Sequence, residues 1–264
     1  MPIARIKDLD VSYEIDGAGP PLLLISGMGG MAGYWKPQVP VFSQHYKVIT
    51  YDQRGTGKTT PSRVTYTVEL LAQDVIDLLD FLGLDKVRIC GHSTGGMIAQ
   101  VLASVAPERI VSMVQYGTRA HADAFTHRAM GLRRRLLLDG KVEEFVRSTA
   151  LFLYPSWWIV ANSERLTAQE DLGIANFTEP EIMASRIDAV LHHDQVAALP
   201  ATRVRTLVTC ARDDFLTPQY YSEQLHGLIS GSQLAFIEKG GHACSLTNPE
   251  PFNELVMSFF EGDA

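Results

Sequence analysis

Short apolar runs recur along the chain and alternate with longer stretches in which apolar residues return every three or four positions. A short apolar run is typical of a strand buried on both faces, and the longer period is typical of an amphipathic helix. Strands are predicted at residues 3–15 (a hairpin), 21–25, 46–51, 86–90, 110–116, 204–210 and 234–237. Strands that alternate with helices in this way predict a mostly parallel sheet with helices on both faces.

The clearest helix is predicted at residues 67–82, where apolar side chains form a single stripe. Thr67 is expected to cap its first turn, and Gly83 is expected to end it. Further helices are predicted at residues 34–44, 94–106 and 249–260.

The pattern changes between residues 118 and 199, where strand-like alternation disappears and helical periodicity takes over, as at 129–138, 142–152 and 180–191. This change predicts a helical cap at 118–199, inserted into a core domain formed by residues 1–117 and 200–264. The run Arg133, Arg134 and Arg135 lies within a cap helix and is interpreted as a solvated face.

Composition narrows the classes of protein that fit this pattern. The 264 residues suffice for one large α/β domain with an insertion, and the net charge of −7 argues against nucleic acid or an anionic membrane as a partner. Cys90, Cys210 and Cys244 have neither a CxxC nor a zinc-ligand spacing, and the N-terminus lacks the apolar core of a signal peptide. A cytoplasmic enzyme with a small-molecule substrate, and with no cofactor or metal, is therefore expected. The sequence leaves a homodimer open.

The sequence from Gly91 to Gly95 predicts a nucleophile elbow around Ser93. An apolar run ends there and a helical pattern begins at once, with a glycine two residues to either side of the serine. Such a turn raises the serine hydroxyl above the sheet and directs the free N–H groups of the new helix at the same point. The backbone N–H of Thr94, together with that of Met28 in the glycine-rich loop after strand 21–25, is predicted to form an oxyanion hole.

Two further residues complete the candidate chemistry. Asp214 follows the strand at 204–210, and His242 lies in a glycine loop after the last strand. The chain order Ser93, Asp214, His242 is that of the α/β-hydrolase triad. His242 is expected to act as the base, and Asp214 is expected to orient it. Asp214 is preferred over Asp213 because it lies four residues before Pro218, the spacing usual in α/β-hydrolases. His92 is expected to be packed at the elbow without a catalytic role.

The chain resembles the α/β-hydrolases over its whole length. Within them it is most similar to the aminoacrylate hydrolases, formerly called carbamate hydrolases, of the bacterial pyrimidine-utilisation pathway, and it shares its sheet motifs with enol-lactonases. The matching stretches are residues 24–30, 51–57, 151–155 with Trp157 or Trp158, and 240–250. The resemblance implies an eight-stranded sheet with a helical cap and hydrolysis of a small polar compound. Some members of that family lack a serine at the elbow, so the presence of Ser93 favours ordinary serine chemistry.

The sequence predicts the type of reaction more narrowly than the substrate. A small ester, lactone, amide or enamine-type acid, such as an aminoacrylate, is the leading expectation. A carbon–carbon bond hydrolase of aromatic degradation or a ligand receptor without turnover on the same fold is the alternative. Trp35, Arg119, Trp157 and Trp158 are predicted to line the pocket. If the substrate is an acid, its carboxylate is expected to pair with one of three arginines, which are Arg119, Arg147 and Arg186.

Overall fold

An eight-stranded sheet runs through the computed structural model, which describes residues 2–177 and 179–262. Its strands are β1 (Ile3–Ile6), β2 (Leu9–Asp16), β3 (Pro21–Ile25), β4 (Lys47–Tyr51), β5 (Val87–His92), β6 (Ile110–Tyr116), β7 (Arg205–Ala211) and β8 (Gln233–Ile237). The spatial order is β1-β2-β4-β3-β5-β6-β7-β8. The strands β3 to β8 run parallel, and β2 pairs antiparallel with both β1 and β4.

Helices cover the sheet on both faces. The α-helices are α1 (Val39–Phe42), α2 (Val68–Phe81), α3 (Thr94–Val105), α4 (Ala124–Leu138), α5 (Val142–Leu153), α6 (Ser156–Ala161), α7 (Ser163–Ala175), α8 (Pro180–His192), α9 (Gln219–Leu228), α10 (Cys244–Thr247) and α11 (Pro249–Glu261). Short 3-10 helices lie at Ala32–Trp35, Pro107–Arg109 and Leu199–Ala201. Helix α2 begins where predicted, because the Thr67 side chain accepts a hydrogen bond from the Leu70 amide at 3.1 Å.

The alternation of side chains along β3 divides the core in two. Leu23 packs with residues of α2 and α3 on one face, whereas Leu22 and Leu24 pack with residues of α11 on the other. The prediction of a mostly parallel sheet with helices on both faces is therefore confirmed. The carboxyl ends of β3, β5, β6 and β7 meet at one edge, where ligands bind in sheets of this kind.

Five helices, α4 to α8, occupy the chain between β6 and β7, in the range predicted for the cap. Helices α4, α5 and α8 match predicted helices, and α6 and α7 were not predicted. Residues 34–44, predicted as one helix, form the end of a 3-10 turn and the short α1. The predicted ranges 1–117, 118–199 and 200–264 also include residues 1, 178, 263 and 264, which lie outside the described residues.

Candidate active site

Ser93 stands at the tight turn between β5 and α3. Its φ is +54°, a conformation that residues with a side chain seldom adopt. Its amide donates to the Tyr116 carbonyl at 2.8 Å, and its carbonyl accepts from the Thr118 hydroxyl at 2.7 Å. The end of β6 and the residues just after it thus hold the turn. A Cβ at Gly91 would lie 2.5 Å from the Gly95 carbonyl oxygen, so a glycine is required there.

His242 and Asp214 form a buried hydrogen-bonded pair. The His242 Nδ1 lies 2.9 Å from the Asp214 Oδ2. A carboxylate only accepts hydrogen bonds, so this contact favours the tautomer with the proton on Nδ1, in which the Nε2 of a neutral ring is an acceptor. Thr217 holds the carboxylate, because its hydroxyl donates to Oδ2 at 2.6 Å and its amide donates to Oδ1 at 2.8 Å. The pair is thereby fixed in one orientation.

Asp213 has a different position from Asp214. Its Oδ1 accepts from the amides of Gly240 and Gly241, both at 2.8 Å, and so it fixes the loop that presents His242. Of the two adjacent aspartates, the structure brings Asp214 to the histidine, in agreement with the spacing argument.

His92 and Tyr116 hold the backbone of His242. The His92 Nε2 lies 3.0 Å from the His242 carbonyl oxygen, and the Tyr116 hydroxyl donates to the same oxygen at 2.9 Å. The His92 ring stacks on Tyr34 with ring centres 4.6 Å apart. Burial, and then the nearby His242, lower the pKa of His92 well below its ordinary value, so it is neutral. His92 is therefore packed at the elbow, as expected.

The two predicted oxyanion donors face the same cavity. Thr94 is the first residue of α3, where a backbone N–H has no partner within the helix. Met28 lies in the loop after β3, and its carbonyl oxygen accepts from the Arg186 Nε at 3.0 Å. Arg186 also donates to the Arg54 carbonyl oxygen at 3.0 Å and to the Gln53 Oε1 at 2.6 Å. It therefore anchors the Met28 loop to α8.

A cavity of about 430 Å³ contains Ser93, His242, Met28 and Thr94 in its wall. The sheet side of the wall comes from the loops after β3, β5, β6, β7 and β8, and the other side comes from α4, α5, α7 and α8. Besides Met28, the apolar lining residues are Met31, Met130, Phe145, Leu153, Met183, Val190 and Leu216. A volume of this size accommodates a small organic molecule.

The structure separates the three arginines proposed for a carboxylate. Arg119 lines the cavity and is 2% exposed, and its Nε and Nη2 are buried without a hydrogen-bond partner in the described part of the chain. Arg147 lies on the surface of α5, paired with Glu143 and Asp171. Arg186 is occupied by the backbone contacts described above. Only Arg119 of these three is thus positioned for a ligand.

The three tryptophans do not line the cavity among the described residues, which corrects their predicted placement in the pocket. Trp35 is fully buried in the core against Tyr34 and Phe252. Trp157 is 43% exposed and lies under the Lys239 amine. Trp158 packs on the ring of Tyr154, which does line the cavity. The bulk of a tryptophan next to a loop therefore did not indicate a ligand contact.

Arg133 corrects another expectation, because it lies in the cavity wall rather than on a solvated face. It is 3% exposed, whereas its neighbours Arg134 and Arg135 pair with Asp188 and Asp139 nearer the surface. The signal in the sequence was its helical spacing, three residues after Met130 and four before Leu137, which are both buried.

No group of three or more His, Cys, Asp or Glu side chains able to hold a metal ion occurs within residues 2–177 and 179–262. Over the same residues, every helix is too short or too polar to cross a membrane.

The sheet order, the strand–turn–helix around Ser93 and the cavity above it define a class of enzyme fold. A family model described as alpha/beta hydrolase fold matches residues 20–249. The chain therefore belongs to the alpha/beta hydrolase family.

Within that family the chain is similar to proteins named "Putative carbamate hydrolase RutD". The protein of that name from Azorhizobium caulinodans is 39% identical over 259 residues, which cover 98% of each chain. The one from Stutzerimonas stutzeri is 36% identical over 250 residues, covering 93% of this chain and 94% of the relative. The resemblance inferred from the motifs is confirmed, and the chain is a hydrolase.

Among solved structures, the enol-lactonase from Burkholderia xenovorans LB400 superposes with a TM-score of 0.91. The match covers 98% of this chain and 100% of that one at 23% identity, and it shows likeness of fold.

Proposed function

We propose that this protein is a serine hydrolase in which Ser93, His242 and Asp214 act as nucleophile, base and orienting acid. The observation that carries the proposal is the 2.9 Å contact of Asp214 with His242, a histidine that shares one cavity wall with a serine held at a positive φ. A serine hydroxyl is a poor nucleophile at neutral pH unless an adjacent base accepts its proton.

Each group then has a defined role in acyl transfer. The His242 Nε2 accepts the Ser93 proton as the hydroxyl attacks the carbonyl carbon of the substrate, and Asp214 stabilises the imidazolium that forms. The amides of Met28 and Thr94 donate to the oxyanion of the tetrahedral intermediate. His242 returns the proton to the leaving group, and water repeats the sequence to release the acid and free Ser93.

The proposed substrate is a small ester, lactone, amide or enamine-type acid. The RutD name of the relatives supports hydrolysis at a carbonyl next to nitrogen or oxygen, and the mostly apolar cavity supports a compact organic body. Carbon–carbon bond hydrolysis uses the same triad, and a receptor would retain the cavity without turnover. Both remain as outcomes of the test below.

The test is p-nitrophenyl acetate hydrolysis, combined with mass spectrometry after treatment with a fluorophosphonate. We expect the wild type to hydrolyse the ester and to gain one adduct on Ser93, and Ser93→Ala to lose both properties. Ser104→Ala is the matched control, because Ser104 is an exposed serine on α3 outside the cavity wall.

The contrary results are equally specific. Hydrolysis that persists in Ser93→Ala, with an adduct elsewhere, would contradict the assignment of the nucleophile. An adduct on Ser93 without ester hydrolysis would favour the carbon–carbon hydrolase. Neither hydrolysis nor an adduct in the wild type would favour a receptor.

A further inference from the structure

Arg133 is a cation enclosed in the cavity wall with little to neutralise it. Its Nη2 donates to the Thr149 hydroxyl at 2.9 Å, and its Nε is buried without a partner in the described part of the chain. Burial lowers the pKa of Arg133 to about 10, and no described carboxylate is close enough to raise it again. At neutral pH the guanidinium is nevertheless charged. A buried charge without a counter-charge is strongly unfavourable, so an anionic ligand would stabilise this side chain.

Two aromatic rings fix the guanidinium in position. Its central carbon lies 4.9 Å from the ring centre of Phe145 and 5.2 Å from that of Phe152. Such contacts stabilise a cation partly and keep water away from it, but they do not replace an anion. The rings and Thr149 therefore hold Arg133 ready for a ligand that carries negative charge.

The other buried arginines of the cavity region differ from Arg133. Arg186 has three oxygen acceptors, as described above. Burial lowers the pKa of Arg119 to about 10, and nearby Tyr221, followed by the carboxylates of Asp123 and Asp214, offsets part of that effect. Of these three side chains, Arg133 is the one that receives no such compensation.

Arg133 also belongs to different elements of the cavity wall from the reacting groups. Arg133, Phe145 and Thr149 belong to α4 and α5, whereas Ser93 and His242 belong to loops at the edge of the sheet. An anion bound at Arg133 is therefore a different group from the carbonyl that Ser93 attacks.

We propose that Arg133 is a specificity-determining residue that binds a carboxylate of the substrate. The compound hydrolysed is then an acid that carries a carboxylate in addition to its ester, lactone or amide bond. A guanidinium suits this role because its planar N–H groups bind both oxygens of a carboxylate. This inference rests on the proposed function, because only a hydrolase would treat the bound anion as a substrate. The anion site itself does not depend on turnover.

The test compares two p-nitrophenyl esters of equal length. The glutarate monoester carries a carboxylate where the pentanoate ester carries a methyl group. We expect Arg133→Met to lower the ratio of kcat/KM for the anionic ester to that for the neutral ester by roughly 10- to 100-fold, the range of a charged hydrogen bond. Arg133→Lys is expected to give an intermediate ratio, because it keeps the charge and loses the planar fork.

Arg135→Met is the matched control, since Arg135 lies on the same helix and pairs with Asp139 at the surface. Its ratio is expected to equal that of the wild type. The proposal would be overturned if Arg133→Met slowed both esters equally, or if the ratio fell in Arg119→Met and not in Arg133→Met.

Isothermal titration of glutarate separates this proposal from the catalytic one. We expect glutarate to bind Ser93→Ala at least tenfold more tightly than Ser93→Ala/Arg133→Met, and the Arg133→Lys version keeps the test valid if the methionine version fails to fold. Equal binding by the proteins with and without Arg133 would refute the anion site. If glutarate binding depended on Arg133 but the wild type hydrolysed neither ester, the anion site would be supported and only the serine mechanism would be contradicted.

Discussion

Ser93 keeps a positive φ only because the residues around it leave room for the turn. Gly91 lies against the Gly95 backbone, and a side chain at Gly95 would enter the Ile25 backbone of the neighbouring strand. These contacts, rather than the serine itself, determine how far α3 can approach the sheet. Single atoms thus control the position of the proposed nucleophile.

The first prediction compares two glycine-to-alanine changes. Gly91→Ala is expected to lower the free energy of unfolding by about 2 to 3 kcal/mol, since the backbone must shift to admit the methyl group. Gly131→Ala, in α4, has open space around the added carbon and is expected to raise it by about 0.5 to 1 kcal/mol. Urea denaturation measures both, and an equal effect at the two positions would contradict the close-approach argument.

Some site residues could be predicted from sequence, and others could not. Ser93, Asp214 and His242 each follow a predicted strand and are flanked by turn residues, so their place at one sheet edge follows from the pattern. Arg133 and Thr217 carry no such signal. Arg133 lies within a run of three arginines, and only packing decides which of them faces inward.

At the scale of elements, one side chain joins helix α8 to the sheet. Arg186 reaches from α8 to the loops after β3 and β4, where it bonds to Met28, Arg54 and Gln53. Its burial means that these acceptors have no water to replace it. The orientation of the Met28 peptide therefore depends on a helix distant in sequence.

We expect Arg186→Met to lower the free energy of unfolding by roughly 2 to 4 kcal/mol, because three acceptors, two of them in buried bonds, lose a charged donor. The Met28 loop would also shift, so the fold-decrease in kcat for p-nitrophenyl acetate is expected to exceed the fold-change in KM. Arg147→Met, which removes an exposed arginine of α5, serves as the control. A fall in stability with an unchanged kcat would show that the loop does not depend on Arg186.

Helices with a clear apolar stripe could be predicted and those without one could not. Helix α2 has such a stripe and a capping threonine, and its bounds agree closely with the prediction. Helix α7 is mostly polar, with Leu166 its one buried residue among those described, and α6 is too short to show a period. Both are held by contacts with neighbouring helices, which the sequence does not display.

At the scale of the whole molecule, buried histidines link stability to pH. The His193 Nε2 lies 3.0 Å from the Gln100 Oε1, and burial lowers the pKa of His193 from 6.5 to about 4. Above pH 6.5 neither the folded nor the unfolded state carries the proton. Between pH 6.5 and pH 4 the unfolded state takes it up first, so the free energy of unfolding falls as the pH falls.

His193→Gln is expected to remove up to about 3 kcal/mol of the loss in stability between pH 7 and pH 4, because glutamine keeps a donor for Gln100 without titrating. His45→Gln, at an exposed histidine, is the control and is expected to leave the pH dependence as in the wild type. Thermal melts over this pH range provide the measurement. The same pH dependence in His193→Gln as in the wild type would exclude His193 as its source.

The three buried thiols give this protein its own reporters of transient opening. Cys90 lies on β5, three residues before Ser93, and Cys244 lies two residues after His242. Cys210 lies on β7. Burial raises the pKa of each thiol, so alkylation in the folded state is slow and must wait for the surrounding structure to part. Labelling rates at Cys90 and Cys244 would therefore show how often the regions around the proposed nucleophile and the proposed base separate from their packing, without any probe having to be introduced.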